Sequence, residues 1–174
     1  MALKLDMSKA YDRVEWGFLR QVMVRMGFHE RWISLIIECI STVTYSILIN
    51  GNPTGNITPT RGIRQGDPIS PYLFLLCAEG LNGMLKKASL QGKIHGVSLC
   101  PRGPKITNLF FADDSLLFCR VSLSECQKIQ GILATYEKAF GQQLNRAKTT
   151  LFFSRNTPHT IQEALKDTLG VPSI

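Results

Sequence analysis

The alternation of hydrophobic and polar residues predicts a strand at the start of the chain and two amphipathic helices after it. Residues 2–6 alternate apolar and polar, which is typical of a half-buried strand. Apolar residues then recur at helical spacing from Trp16 to Met26, and Gly27 is predicted to end that helix. The second helical stretch places on one face Trp32, Leu35, Ile36 and Ile40. We expect both tryptophans to be anchors of the core.

A hairpin is predicted next. Residues 44–49 are rich in β-branched and aromatic side chains, and Asn50-Gly51 can supply the positive φ angles of a tight turn. Residues 57–63 are predicted to be the return strand, although Pro59 interrupts them. The glycine and proline content of residues 61–68 then indicates a loop.

A long helix follows that loop. Ser70 can cap it, with Pro71 at the first helical position, and the pattern continues to about Leu90. The residues up to Leu81 are largely apolar, so we expect this helix to be buried.

The second half of the chain alternates short strands with helices. A helix is predicted from Ser122 or Ser124 to Gly141, and another from Thr157 or Thr160 to Leu169. Strands are predicted at residues 97–99, 106–111, 116–119 and 149–153. The mixed order of elements favours an α+β fold, in which helices pack on one face of a largely antiparallel sheet.

Composition narrows the classes of function only slightly. The chain has 174 residues and a formal charge of +7, which favours polyanionic partners without identifying one. Its five cysteines form no CxxC pair, which is typical of reduced thiols in an intracellular protein, nuclear or cytoplasmic. The longest apolar run, Leu73 to Ala78, is too short to span a bilayer, so no membrane role is expected.

Three carboxylates are the strongest chemical signal. Asp113 and Asp114 are adjacent and lie between apolar runs that are predicted to form a hairpin, where an uncompensated pair of charges is costly. An exposed acidic turn or an ion pair with Arg or Lys would account for the pair equally well. Asp6, at the end of the first strand, could meet this hairpin if the strands are neighbours. Three such groups can hold two Mg²⁺ ions, about 3.5–4 Å apart, for phosphoryl transfer.

Four ordered segments make the chain similar to the reverse transcriptase domain of non-LTR (LINE-type) retrotransposons, most of all those of plants. The segments that resemble the family's motifs A, B, C and D are, in that order, Lys4–Asp12 (KLDMSKAYD), Arg61–Pro71 (RGIRQGDPISP), Phe111–Asp114 (FADD) and Phe140–Asn145 (FGQQLN) with Lys148. The resemblance covers nearly the whole chain. Phe140 departs from the serine usual in the family, which affects only the fourth segment.

The resemblance implies a role for each matching residue. Asp6 and Asp113 would bind two Mg²⁺ ions (or Mn²⁺), with Asp114 a weaker or alternate ligand. Tyr11 would exclude a 2′-hydroxyl from the incoming nucleotide, and Lys148 would protonate the pyrophosphate leaving group. The residues implied to lie beside the nascent base pair or the template are Gln65, Gly66 and Arg64, with Arg61 as a further phosphate or template contact. Core packing for Tyr11 and a solvated surface position for each basic residue remain open. Asp12 and Asp67 are interpreted as turn-ordering residues.

The implied function is RNA-directed DNA polymerisation: a primer 3′-hydroxyl would be extended with dNTPs on an RNA template. Residues 1–174 would be a partial domain, comprising the palm and part of the fingers, without the N-terminal fingers, the primer grip and the thumb. We therefore expect little activity from the chain alone. The alternatives are an inactive retroelement relic with residual nucleic-acid binding, and a maturase-like protein. Oligomeric state is not predicted.

Overall fold

The computed structural model describes residues 1–111 and 114–171, which form five helices and eight strands. The helices are α1 (Trp16–Arg25), α2 (Glu30–Ser41), α3 (Ser70–Leu90), α4 (Leu123–Phe140) and α5 (His159–Leu169). The strands are β1 (Ala2–Leu5), β2 (Tyr45–Ile49), β3 (Asn52–Ile57), β4 (Val97–Ser98), β5 (Lys105–Ile106), β6 (Asn108–Phe111), β7 (Asp114–Phe118) and β8 (Thr150–Phe152).

The main sheet is antiparallel and has the strand order β6-β7-β1-β8. Its inner strand β1 pairs on one side with β7, where Leu3 lies opposite Leu117, and on the other with β8, where Leu3 lies opposite Leu151. β6 and β7 form a hairpin in which Phe111 pairs with Asp114. The predicted α+β class and antiparallel sheet are confirmed.

The two faces of this sheet have different surroundings, because successive side chains of a strand point to opposite faces. Leu3, Leu5 and Leu117 are almost completely buried and belong to the hydrophobic core, together with Leu133 of α4 and Leu165 of α5. Lys4, which alternates with the two buried leucines of β1, is exposed. The exposed large apolar side chains of the outer strands are Leu109, Phe111 and Phe152. Helices thus cover one face, as predicted, and we call the other the open face.

The central helix of the core is α3, which contacts both α1 and α4. Its bounds match the predicted helix, although Ser70 is the first helical residue and Ile69 occupies the cap position. At Gly80, an added Cβ atom would lie 2.7 Å from Cζ of Phe18 on α1. The glycine therefore permits the close approach of these two helices.

A buried carboxylate ties the start of α4 to the chain on either side of it. Glu125 accepts hydrogen bonds from the backbone N–H of His95 at 2.9 Å and of Arg120 at 3.2 Å, and its other oxygen lies 2.8 Å from Nδ1 of His95. Burial alone would raise the pKa of Glu125, but these hydrogen bonds and the nearby imidazole together lower it below its usual range. The side chain therefore acts as an ionised clamp between three segments of the chain.

The predicted return strand of the hairpin was placed too late in the sequence. The turn forms at Asn50 and Gly51, which have φ angles of 51° and 82°, as predicted. Ile49 then pairs directly with Asn52, so the return strand is β3 and not residues 57–63. Because a two-residue turn fixes the register, β3 forms although it contains Pro53.

The predicted core position of Trp32 was also wrong. The buried face of α2 consists of Ile33, Ile36 and Ile40, whereas Trp32 and Leu35 are about half exposed. A helix with apolar residues on two adjacent faces can pack with either face toward the core. Helix α2 packs with its isoleucines toward the core. Trp16 is partly buried against the core, and its Nε1 donates a hydrogen bond to the carbonyl of Gly62 at 2.7 Å.

Candidate active site

Two carboxylates from neighbouring strands lie at the same end of the main sheet. Leu5 pairs with Ser115 across the ladder between β1 and β7. Asp6 directly follows Leu5, and Asp114 directly precedes Ser115 as the first residue of β7, so both residues lie at this end of the sheet. Nζ of Lys4 lies 3.2 Å from an oxygen of Asp114, and both side chains are about half exposed. Strand β1 thus supplies a cation for Asp114, a possibility that the sequence reasoning had left open.

Asp113, the central residue of the predicted metal site, lies outside the described residues, as does Ala112. Within residues 1–111 and 114–171, no group of three or more His, Cys, Asp or Glu side chains is arranged to hold a metal ion. The described part of the chain therefore contributes Asp6 and Asp114 to this end of the sheet, and the predicted three-carboxylate cluster stays a prediction.

The segment after α4 is held against the residues that follow β1. The backbone N–H of Asn145 donates to the carbonyl of Asp6 at 2.9 Å, and the N–H of Ser8 donates to the carbonyl of Gln143 at 2.9 Å. The N–H of Lys148 bonds to the carbonyl of Asn145 at 3.1 Å, and its side chain is exposed. The turn that carries Lys148 is therefore anchored to the backbone of Asp6.

The loop before α3 docks on the same segment from the other side. The N–H of Ile63 donates to the carbonyl of Tyr11 at 3.0 Å, and the N–H of Gly62 donates to the carbonyl of Val14 at 2.8 Å. Gly62 has φ of +92°, and an added Cβ atom would lie 2.8 Å from the carbonyl oxygen of Asp12. Only glycine fits this backbone crossing without a shift.

A cavity of about 600 Å³ forms where these segments meet. Its lining includes Tyr11, which is predicted to contact the incoming nucleotide, and Gln65 and Gly66, which are predicted to lie beside the nascent base pair. Met7, the neighbour of Asp6, lines it too. The ring of Tyr11 is partly buried and stacks on Phe74 with 5.2 Å between ring centroids. The predicted packing role and the predicted nucleotide-facing role of Tyr11 are thus compatible.

Arg64 does not line this cavity but an adjoining one of about 450 Å³, which Gln65 also lines. Arg61 lines this second cavity too, but its Nη1 lies 3.2 Å from a carboxylate oxygen of Glu15. Arg61 therefore has an intramolecular partner, whereas no ion pair is present for Arg64 among the described residues.

The sequence reasoning missed two lysines near Asp6 and Asp114. Lys4 pairs with Asp114, and Lys9 lines the larger cavity with a positive φ of 51°. The alternation in β1 predicted an exposed Lys4 but not its partner. Lys9 lies three residues after Asp6, which is a signal for a cation near the carboxylates. Asp67 behaves as predicted, since its Oδ1 accepts the N–H of Ile69 at 3.1 Å and orders the loop.

The cysteines lie outside this arrangement. Burial raises the pKa of Cys119 to about 12 and that of Cys126 to about 11, and it also raises the pKa of Cys77. These thiols stay protonated near neutral pH and are therefore poor nucleophiles. Cys39 and Cys100 are exposed. Among the helices of the described residues, none is both long and apolar enough to cross a membrane.

The sequence matches a reverse transcriptase family model, and several of the proteins similar to it are products of retrotransposable elements. The family "reverse transcriptase (RNA-dependent DNA polymerase)" matches residues 1–171. An uncharacterized mitochondrial protein of Arabidopsis thaliana is 39% identical over 112 residues, which are 64% of this chain and 90% of that protein. The Pol polyprotein of a type-1 R2 retrotransposable element of Popillia japonica is 32% identical over 66% of this chain, which corresponds to 18% of the polyprotein. This chain thus spans less than a fifth of that relative.

Solved structures with the same fold include two yeast telomerases. That of Candida albicans, determined with a fragment of telomeric RNA, has a TM-score of 0.64 at 15% identity. The match covers 90% of this chain and 27% of the telomerase chain. The telomerase of Candida tropicalis gives a TM-score of 0.65 at 16% identity, over 90% of this chain and 31% of that one. With the family match over residues 1–171, the chain belongs to the reverse transcriptase family.

Proposed function

We propose that the chain performs the nucleotidyl transfer of an RNA-directed DNA polymerase, extending a primer 3′-hydroxyl with a dNTP on an RNA template during retrotransposition. One observation carries the proposal: Tyr11 and the loop residues Gln65 and Gly66, from two separate segments, line one cavity beside the strand end that bears Asp6. Family membership supports the reaction, and the geometry supports the place where a nucleotide would bind.

The proposed metal ligands are Asp6, Asp113 and Asp114. Carboxylate oxygens are the ligands that Mg²⁺ prefers, and two of these residues leave neighbouring strands at one end of the sheet. When bound, a pair of Mg²⁺ ions would stabilise the charge on the attacking and leaving oxygens. Lys4 offsets the charge of Asp114, which supports the ranking of Asp114 as the weakest ligand.

The residues of the larger cavity have complementary proposed roles. Tyr11 would contact the sugar of the incoming nucleotide and exclude a 2′-hydroxyl, because the stack on Phe74 limits how far its ring can move. Gly66, with φ of +90° and no atom within 4 Å of an added Cβ, leaves open space toward the cavity. Lys9 is placed to attract the triphosphate.

Two basic residues complete the proposed site. Arg64 would contact the template strand from the adjoining cavity. Lys148 would donate a proton to the pyrophosphate leaving group, where negative charge develops. Its support is the anchoring of the turn at Asn145 to the backbone of Asp6.

The test is single-turnover incorporation of one dNTP, with the protein in excess over a DNA primer annealed to an RNA template and with Mg²⁺. We expect slow incorporation that is lost, by at least about 10³-fold, in Asp6→Asn and in Asp113→Asn, because each removes an anionic metal ligand. Asp167→Asn, an exposed carboxylate on α5, serves as the control and should retain the wild-type rate. Undiminished incorporation in Asp6→Asn would refute the metal assignment.

The domain assignment is also part of the proposal: residues 1–174 are the palm and part of the fingers. Residues 1–174 match only a fraction of the length of longer relatives. For a polypeptide of residues 1–174 on its own, we expect little processive synthesis, because catalysis depends on precise positioning of primer and template. Processive cDNA synthesis that Asp113→Asn abolishes would contradict this expectation. Retained RNA binding without any dNTP incorporation would favour the inactive relic instead.

A further inference from the structure

A second concave surface lies at the far end of α3 from the candidate active site. Two adjoining cavities, of about 620 Å³ and 330 Å³, share Lys93 and Lys128 in their lining, and Lys87 lines the smaller one. We call the surface formed by these three lysines and the cavity walls the distal groove. Lys87 is 17 residues after Ser70 on the same helix, which places it about 25 Å along the axis from the start of α3.

The distal groove has an excess of positive charge. Lys87, Lys93 and Lys128 are exposed, and none of them forms an ion pair with another described residue. The described lining contains one acidic side chain, Glu125. Its oxygens bond to the backbone and ring of His95 and to the backbone of Arg120, and it forms no ion pair with these lysines. Three lysines against one carboxylate leave the groove with a net positive charge.

The remaining lining residues suit a phosphate backbone better than nucleobases. Neither cavity is lined by a described Phe, Tyr or Trp side chain on which a base could stack. Polar side chains that can bond phosphate or sugar oxygens are present, and they are Gln91, Ser122, Ser124, Gln127 and Thr135. Gly131 of α4 also lines the smaller cavity, where it has no side chain to fill the space. An added Cβ atom there would meet nothing within 4 Å.

We propose that the distal groove binds the sugar-phosphate backbone of a single nucleic-acid strand, without regard to sequence. Helices α3 and α4, which line the smaller cavity, contact each other. Contacting helices pack with about 8–10 Å between their axes, and a furrow between them is too narrow for the convex surface of a duplex. Three lysines can neutralise phosphates and release their counterions, which supplies sequence-independent affinity. Binding here is independent of the proposed polymerisation, because the groove lies away from the carboxylates.

The test compares matched triple variants of the full chain by fluorescence anisotropy with a mixed-sequence 12-nucleotide single-stranded RNA. Lys87→Gln, Lys93→Gln and Lys128→Gln together should weaken binding at low salt by about 10-fold or more. The magnitude of the slope of log K against log salt should fall by about 2, because each lost phosphate contact removes about 0.7 from it.

The control triple is Arg25→Gln, Arg31→Gln and Arg155→Gln, which removes the same charge from exposed positions outside both cavities. At about 0.1 M salt, where the Debye length is about 10 Å, it should bind within about 2-fold of wild type, since charges outside the groove are then largely screened. A Lys→Arg triple at the groove should restore binding, which separates charge from folding. Thermal unfolding of all variants should coincide within a few degrees.

Binding measurements with other nucleic acids identify the ligand. Single-stranded DNA that binds like RNA would show that the phosphodiester chain is read alone, and weaker DNA binding would show a contribution from the 2′-hydroxyl. Equal losses in the two triples, or a groove-dependent preference for duplex over single strand, would overturn the proposal. Incorporation of one dNTP, measured on the same proteins with saturating primer and template, should be unchanged in the groove triple, so failure of one proposal is distinguishable from failure of the other.

Discussion

The two ends of α3 present two kinds of surface, each with its own proposed function. Near Ser70, the helix begins beside a loop that backbone hydrogen bonds fix to the segment after β1. Near Lys87, it ends in an open groove of flexible lysines without ion partners among the described residues. Chemistry at a bond requires atoms in fixed places, whereas attraction to a polyanion requires only charge at short range. We therefore expect substitutions near Ser70 to be poorly tolerated and substitutions near Lys87 to be well tolerated.

The largest expected effect is at the fixed end. Gly62→Ala would place a Cβ atom 2.8 Å from the carbonyl oxygen of Asp12 and force a side chain into φ of +92°. Backbone strain and overpacking together should lower the free energy of unfolding by about 3 kcal/mol. Urea unfolding followed by circular dichroism measures this. A loss below about 0.5 kcal/mol would show that the loop adapts and that this end is not fixed.

The second effect concerns Glu125, the clamp beside the groove. Glu125→Gln removes an ionised acceptor and should lower the free energy of unfolding by about 2 kcal/mol near neutral pH. Since the hydrogen bonds lower the pKa of Glu125 in the folded state, its contribution is fully present above the pKa of an unfolded Glu. It is lost as pH falls from that value through the lowered pKa of the folded state. The difference between wild type and variant should therefore shrink from pH 6 toward pH 3 in urea titrations, and a constant difference would contradict it.

The third effect has the opposite sign. Gly131 lies inside α4, where an added Cβ atom meets no atom within 4 Å. Gly131→Ala should raise the free energy of unfolding by about 0.5–1 kcal/mol, because alanine loses less backbone entropy in a helix. The same urea assay measures it, with Gly83→Ala on α3 as a second open helical site. Destabilisation at either position would indicate packing that the open geometry does not contain.

The smallest effect is at the carboxylates. The pair between Lys4 and Asp114 is half exposed, so Lys4→Gln should cost no more than about 0.5 kcal/mol without metal. Removal of this cation leaves the acidic end of the sheet less compensated, so added Mg²⁺ should raise the melting temperature more in Lys4→Gln than in wild type. Equal shifts on metal addition would separate Lys4 from the proposed metal site. The double variant Lys4→Gln with Asp114→Asn is the control and should lose the extra shift.

The sequence predicted those elements whose local signals agree. The helix at Ser70–Leu90 has a proline at its start and a continuous apolar pattern, and the turn at Asn50-Gly51 has the required residues. The return strand β3 was misplaced because Asn52–Ile57 contains both proline and glycine, and a fixed turn outweighed these poor propensities. Trp32 was misassigned because periodicity shows that α2 has an apolar face but not which neighbouring face the core selects.

The sequence predicted which residues belong to the candidate site, but not how they are arranged in space. Motif order suggested Tyr11, Gln65 and Gly66, and the fold brings all three to one cavity. Arg64 lines the adjoining cavity instead. Its position depends on the path of the loop and not on the spacing of the motifs along the sequence. The partner of Lys4 depends on the register of β1 against β7, and no local pattern encodes that register.

The hairpin of β2 and β3 has a consequence for the motions of the molecule. Every residue of both strands is exposed, and the two strands contact mainly each other. A two-stranded hairpin without a buried face is marginally stable in water. Its amide protons should therefore exchange with solvent through local opening, well before those of β1, whose exchange requires opening of the core. We therefore expect the segment between α2 and the loop at residues 61–68 to open more readily than the main sheet.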